Sequence, residues 1–163
     1  MRGVTALKKK KITDLLIFIV SAELVGVLSA LLSGSFSETY LSLEKPPFSP
    51  PGWIFPVVWG ILYAVMGISA YLVHVSQGSQ WKRSNALKIY ALQLFFNFLW
   101  SIIFFRFELF TVALIDIILL DFAAALMTVL FYRLSKAAGL INIPYLIWLL
   151  FATYLNAGVV ILN

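Results

Sequence analysis

The chain has 163 residues, of which 62% are hydrophobic and only 12% charged. A soluble domain of that size has too little interior to hide so much apolar surface, so most of the chain has lipid as its solvent. The absence of cysteine excludes disulfides and thiolate chemistry, and the formal charge of +5 gathers at the ends of apolar runs, which is not the pattern of a nucleic-acid surface.

Met1 to Lys11 carries Arg2 and the run Lys8, Lys9, Lys10, Lys11, followed by an apolar stretch from Ile12 to about Ser33. At about 22 residues this exceeds the apolar core of a secretory signal peptide, roughly 7 to 15 residues, and Glu23 interrupts it; a retained membrane helix over 12–33 is expected. A polar, proline-rich connector follows, from Gly34 to Pro50. Five of the six prolines lie between Pro46 and Pro56, which predicts a stiff, extended lid. The second helix is expected over 51–74, with Pro51 at its first position and Pro56 bending it near Trp53. Trp59, Tyr63 and Met66 share one face of it, while Gly60, Ala64 and Gly67 form a small stripe that admits a neighbouring helix.

Val75 to Asn85 reads as a short exposed loop, and three further apolar runs predict helices over 86–105, 109–132 and 137–162. The fold class is therefore an all-α integral membrane protein, a single domain of five transmembrane helices over 1–163. Lysine and arginine in alternate end segments number ten against two, which puts the N-terminus inside and the C-terminus outside.

Polar groups within such helices need a partner or a task. Gln93, Asn97, Trp100 and Phe104 share a face of the third helix, and two accounts fit: hydrogen bonding between helices, or a ligand wall. Tyr145, Trp148, Ala152, Leu155, Asn156 and Val159 share a face of the fifth, where Trp148 reads as pocket or as interfacial anchor. Asp116 and Asp121 are five residues apart and fall on different faces, so they make no acid/base pair. Asp116 is expected to meet Asn97, Trp59 or ligand, and Asp121 to bond a neighbouring helix. His74 is the only histidine; it lies about 22 Å along the helix from Trp59, too far for haem-iron ligation in an aromatic pocket. No metal cluster, phosphate loop or serine–histidine pair is present, and the inventory fits a flat hydrophobic ligand between aromatic faces.

These residues resemble the translocator protein family, also called tryptophan-rich sensory proteins or peripheral-type benzodiazepine receptors. The resemblance rests on Tyr40, KPPFSPPGWIFPVVWGILYAVMG (45–67), QLFFNFLW (93–100) with Phe104 and Phe105, Asp116, and PYLIWLLFATYLN (144–156), in family order over nearly the whole chain. It implies a five-helix receptor or sensor that binds protoporphyrin IX, haem-related tetrapyrroles and benzodiazepine-type ligands, influencing tetrapyrrole handling or a stress response. By resemblance, Tyr40, Pro50, Trp53, Phe55 and Trp59 form the lid and one wall, Asn97 and Trp100 another, and Asp116, Trp148, Ala152 and Leu155 complete the pocket. Trp59 and Trp148 match tryptophans associated with light-dependent porphyrin breakdown, so a porphyrin-degrading enzyme is an alternative; a transporter of porphyrin or another lipophile is a second. No cofactor or metal is required beyond protoporphyrin IX or haem as ligand. The implied setting is a bacterial inner membrane, with the bilayer, a hydrophobic small molecule and a homodimer partner as the interactions. Thr39 and Phe48 stand where the family often has tryptophan, NAGVVILN (156–163) lacks the animal sterol motif, and Leu92 and Phe96 replace small residues of a family dimer contact.

Overall fold

A computed structural model describes residues 2–34 and 36–163, with side chains from Lys11 onward. Among the described residues seven α-helices follow in order: α1 (Arg2–Leu32), α2 (Phe36–Ser42), α3 (Ile54–His74), α4 (Gln80–Ser101), α5 (Phe110–Leu134), α6 (Lys136–Leu140) and α7 (Ile143–Leu162). Five segments of the described residues are long and apolar enough to cross a membrane: Lys11–Leu32, Ile54–His74, Gln80–Arg106, Phe110–Leu134 and Lys136–Leu162. The five expected spans are all present, and their ends differ for local reasons.

The second span begins at Ile54 rather than Pro51, with Trp53 as its N-cap. Pro51 and Gly52 accept bonds from Ile54 N–H and Phe55 N–H in a tight entry turn (3.0 and 3.2 Å). Pro56 therefore falls in the first helical turn, where a missing N–H removes no helical bond. The third span starts earlier than Ala86, at Gln80, because the Ser79 side chain caps it by accepting from Lys82 N–H (3.4 Å). The polar run over 80–85, which reads as loop, is the interfacial first turns of that helix. At its other end α4 widens into a π-helical turn over Ile102–Arg106, with Phe107 N–H donating to Ile102 O at 3.2 Å. Consecutive Phe104 and Phe105 are both buried there.

The last span is broken between Leu140 and Ile143, not continuous over 137–162. Pro144 would press on the Leu140 carbonyl in an unbroken helix. Asn142 fills the break, donating to Ala138 O (2.7 Å) and to Ser69 Oγ, and so ties the corner to α3. The connector from Gly34 to Pro50 is also not wholly extended. Gly34, at φ 78°, turns the chain out of α1, and α2 follows immediately. That short helix sets Phe36 against Phe105 at 4.8 Å and Tyr40 against Phe55 at 5.2 Å.

The backbones of α1 and α3, α4 and α5, and α5 and α7 pack most extensively. A side chain at Gly67 would meet the α1 backbone at Ile19 Cα and Phe18 O, 2.7 Å away, so α1 rests directly on this position. Gly60, one helical stretch earlier, has nothing within 4 Å. The expected small stripe thus admits α1 at its Gly67 end and not at Gly60. Large rings bridge α3 and α7: Trp59 lies 6.5 Å from Tyr145 and Phe55 5.9 Å from Trp148.

Candidate functional site

The lid is fastened at several points, each by a group that the nearby sequence supplies. Tyr40 Oη donates to Pro50 O (2.6 Å), and Lys45 Nζ donates to Tyr40 O and Leu43 O (both 2.9 Å). Across to α7, Tyr154 Oη donates to Pro47 O (3.0 Å), and the Asn163 amide exchanges two 3.0 Å bonds with the Glu44 backbone. Pro46 packs on Gly158, where a β-carbon would collide with its ring. Burial pushes the Tyr40 phenol above its ordinary value, so its O–H persists as a donor beyond neutral pH.

A pH-dependent lid follows. The phenol's raised pKa means its contribution is present below about pH 10 and fades as pH rises through that raised value. Tyr40→Phe removes a bond worth about 1 kcal/mol. Limited proteolysis of the 36–52 segment at neutral pH is expected to run about fivefold faster in this variant, with the difference closing under strongly alkaline conditions. Equal rates at neutral pH would show that the Tyr40 bond does not hold the lid.

Beneath the lid lie two chambers. The larger, about 230 Å³, sits between α1, α3 and α4, lined by Gly26 and Ala30, by Pro56, Trp59 and Tyr63, and by Asn97 and Trp100. The smaller, about 30 Å³, lies between the lid and α7, lined by Tyr40, Lys45, Pro46, Ala152, Leu155 and Asn156 among others. Phe55, Trp100 and Phe105 line both and form the partition between them.

One face of the larger chamber is a chain of neutral hydrogen bonds. Tyr63 Oη donates to Asn97 Oδ1 (3.0 Å), Asn97 Nδ2 to Tyr145 Oη (3.2 Å), and Tyr145 Oη to Gln93 Oε1 (2.7 Å). Trp100 Nε1 donates to Asn156 Oδ1 (3.0 Å), and Asn156 Nδ2 to Phe110 O (3.0 Å). The amide face of α4 makes the hydrogen bonds between helices: Asn97 has its oxygen and nitrogen held by two phenols, and it also borders the chamber. Such a wall is preorganised and uncharged. It offers ring faces, phenols and amide dipoles to whatever occupies the chamber.

The residues singled out by sequence divide into three groups. Phe55, Trp59, Asn97 and Trp100 meet at the larger chamber, while Tyr40, Ala152 and Leu155 meet Phe55 and Trp100 at the smaller. Pro50 and Trp53 lie on the outer side of the lid, in a separate surface groove, and Trp53 is 68% exposed. Trp148 touches the partition through Phe55 and lines neither chamber, and its buried Nε1 has no hydrogen-bond partner among the described residues. Asp116 also lines neither chamber. It is buried on α5, Oδ2 has no partner among the described residues, and the expected meeting with Asn97 or Trp59 does not occur, since Asn97 is already paired with two phenols. Asp121 bonds a neighbouring helix as expected, accepting from Thr153 Oγ1 at 2.8 Å. His74 ends α3 against Phe18, away from both chambers.

Glu23 with Gly26 and Ala30 beside it reads from sequence as a structural contact, and the structure adds that this face of α1 is a chamber wall. Gly26, Ala30 and Ser33 line the larger chamber, and Gly26 is where the Tyr63 ring crosses so closely that a β-carbon would collide with it. Their small size at helical spacing beside Glu23 is the signal that marks this face.

The sequence profile of the TspO/MBR family matches residues 17–162. The chain belongs to that family. It is 39% identical over 148 residues to a tryptophan-rich protein TspO of Archaeoglobus fulgidus, covering 87% of this chain and 95% of the relative. It is 39% identical over 129 residues to the human translocator protein, covering 78% and 76%, and 38% identical over 126 residues to a tryptophan-rich sensory protein of Cereibacter sphaeroides, covering 77% of each. This TspO/MBR member is accordingly an integral membrane protein of the receptor and sensor type, and its matched region contains the lid, both chambers and the phenol–amide face.

Proposed function

We propose that this TspO/MBR protein is a receptor for a flat hydrophobic ligand of the porphyrin class, held in the larger chamber and sensed through the lid. The observation that carries the reading is the aromatic chamber itself: Trp59, Tyr63, Trp100 and Phe105 around a neutral phenol–amide wall, with no carboxylate or cation lining it among the described residues. A ring system would lie between the indoles. Its carboxylates would remain at the lid, where the Lys45 ammonium has a third N–H beyond the two already donated to carbonyls. At about 230 Å³ the chamber is below the roughly 300–1,000 Å³ of drug-sized sites, so a tetrapyrrole requires Phe55 and Trp100 to yield and the two chambers to join. Binding thereby moves the partition against the lid, a route from occupancy to signal. The excess of lysine and arginine at alternate ends supports an N-terminus in the cytoplasm with the lid outside, and a bacterial inner membrane is the setting that goes with this reading.

A second reading, light- and oxygen-dependent porphyrin breakdown, is favoured by Trp59, which lines the chamber with its ring 5.9 Å from Tyr63 and 6.5 Å from Tyr145. Quenching of tryptophan fluorescence by protoporphyrin IX, in the dark and under light, distinguishes the two for wild type and a Trp59→Phe, Trp148→Phe variant. Saturable dark binding without a new product is the expected result. A light-dependent product that vanishes in the variant while dark affinity persists would establish the enzyme reading instead, and quenching that never saturates would rule out a porphyrin receptor.

A further inference from the structure

At the end of the bundle away from the lid, a groove of about 450 Å³ runs along the start of α4 beside the end of α3, lined by His74, Arg83, Ser84, Leu87, Lys88 and Ala91 among others. Its polar members gather at the interfacial turns, while Leu87 and Ala91 continue the same face toward the membrane interior. Lys88 sits deeper, but its long stem lets the ammonium return to the interface. Arg83 is half-buried, and Nη1 donates to Ser76 O (2.7 Å), which fixes the guanidinium and leaves further N–H donors for another acceptor. The His74 ring is held against Phe18 at 5.3 Å, and Trp81, 72% exposed beside the groove, marks the headgroup level.

Charge at this end is predominantly positive. Among the described residues of segments 11–17, 74–91 and 127–143, the basic groups are Lys11, Lys82, Arg83, Lys88, Arg133 and Lys136, against the single acid Asp14. A cationic mouth continued by an apolar track is complementary to an amphiphile with an anionic head. A small inorganic anion would satisfy the cations and leave Leu87 and Ala91 unused.

We propose that this groove binds the phosphodiester headgroup of an anionic phospholipid, with an acyl chain laid along Leu87 and Ala91. From Ser84 to Ala91 is about 10 Å of helix, enough for the head and the first several methylenes of one chain. The occupied groove would brace the 75–79 turn that Arg83 closes on Ser76, and so fix the register of α4, whose far end carries Asn97 and Trp100.

Native mass spectrometry of the full chain in detergent, titrated with phosphatidylglycerol or phosphatidylcholine, tests this. Phosphatidylglycerol is expected to be retained at least tenfold better. Lys88→Gln should weaken it about fivefold, the effect of one interfacial charge, whereas Lys82→Gln, exposed and off the groove, should leave it within twofold of wild type. Arg83→Gln also breaks the Ser76 bond, so Lys88 carries the comparison. Equal retention of the two lipids, or equal losses in the Lys82 and Lys88 variants, would overturn the site. Displacement of phosphatidylglycerol by millimolar inorganic phosphate would overturn the lipid assignment in favour of a free anion.

Discussion

Gly67→Leu is expected to destabilise the protein by about 3 kcal/mol, the upper part of the usual range for overpacking a close interface. The collision is with backbone: even a β-carbon at this position would stand 2.7 Å from Ile19 Cα and Phe18 O, which no rotamer change can relieve. Because α1 walls the larger chamber through Gly26 and Ala30, pushing it from α3 should also widen that chamber, which is smaller than a tetrapyrrole needs, and so strengthen binding of the proposed porphyrin ligand by the folded fraction. Thermal unfolding in detergent, followed by binding of the folded fraction, measures both effects. Gly60→Ala is the companion, with nothing within 4 Å of the new carbon, and should be neutral or stabilise by up to about 1 kcal/mol through helix propensity. If Gly67→Leu melts with Gly60→Ala, α1 does not rest on Gly67.

The second large effect is expected from Tyr145→Phe, which preserves the fully buried ring and its contact with Trp59 while deleting one hydroxyl. That hydroxyl accepts from Asn97 Nδ2 and donates to Gln93 Oε1, so its loss leaves two buried amide atoms unpaired. A cost of about 2 kcal/mol is expected, since intramembrane hydrogen bonds are worth less than the larger values seen in water-soluble cores. Adding Gln93→Leu should return about half of it, because removing both partners costs less than orphaning one. The freed Asn97 amide faces the larger chamber, so affinity for ligands carrying a carbonyl should rise while affinity for pure hydrocarbons should not. An unchanged melting temperature in Tyr145→Phe would mean that the phenol–amide face is not what holds α3, α4 and α7 together.

The sequence by itself determined the solvent, the number of spans, the proline lid and the family, because each depends on local properties: hydropathy summed over some twenty residues, the fixed φ of proline, and motifs read in order. It also found the faces that matter on α4 and α7, since helical periodicity assigns Asn97 with Trp100 and Ala152 with Leu155 without a partner helix. What it could not fix was how far each helix is rotated about its axis and how closely its neighbours approach. Those are set by packing between residues distant in sequence, such as Gly67 on Ile19 or Tyr63 on Asn97. Tertiary structure alone therefore decided that α1 supplies a wall, that Asp116 is turned away from both chambers, that Trp53 faces outward, and that Phe55 and Trp100 divide the space in two. In a lipid-spanning bundle almost every face is apolar, so hydropathy does not say which face meets lipid and which meets protein; hydrogen bonds and the small residues at close crossings make that choice.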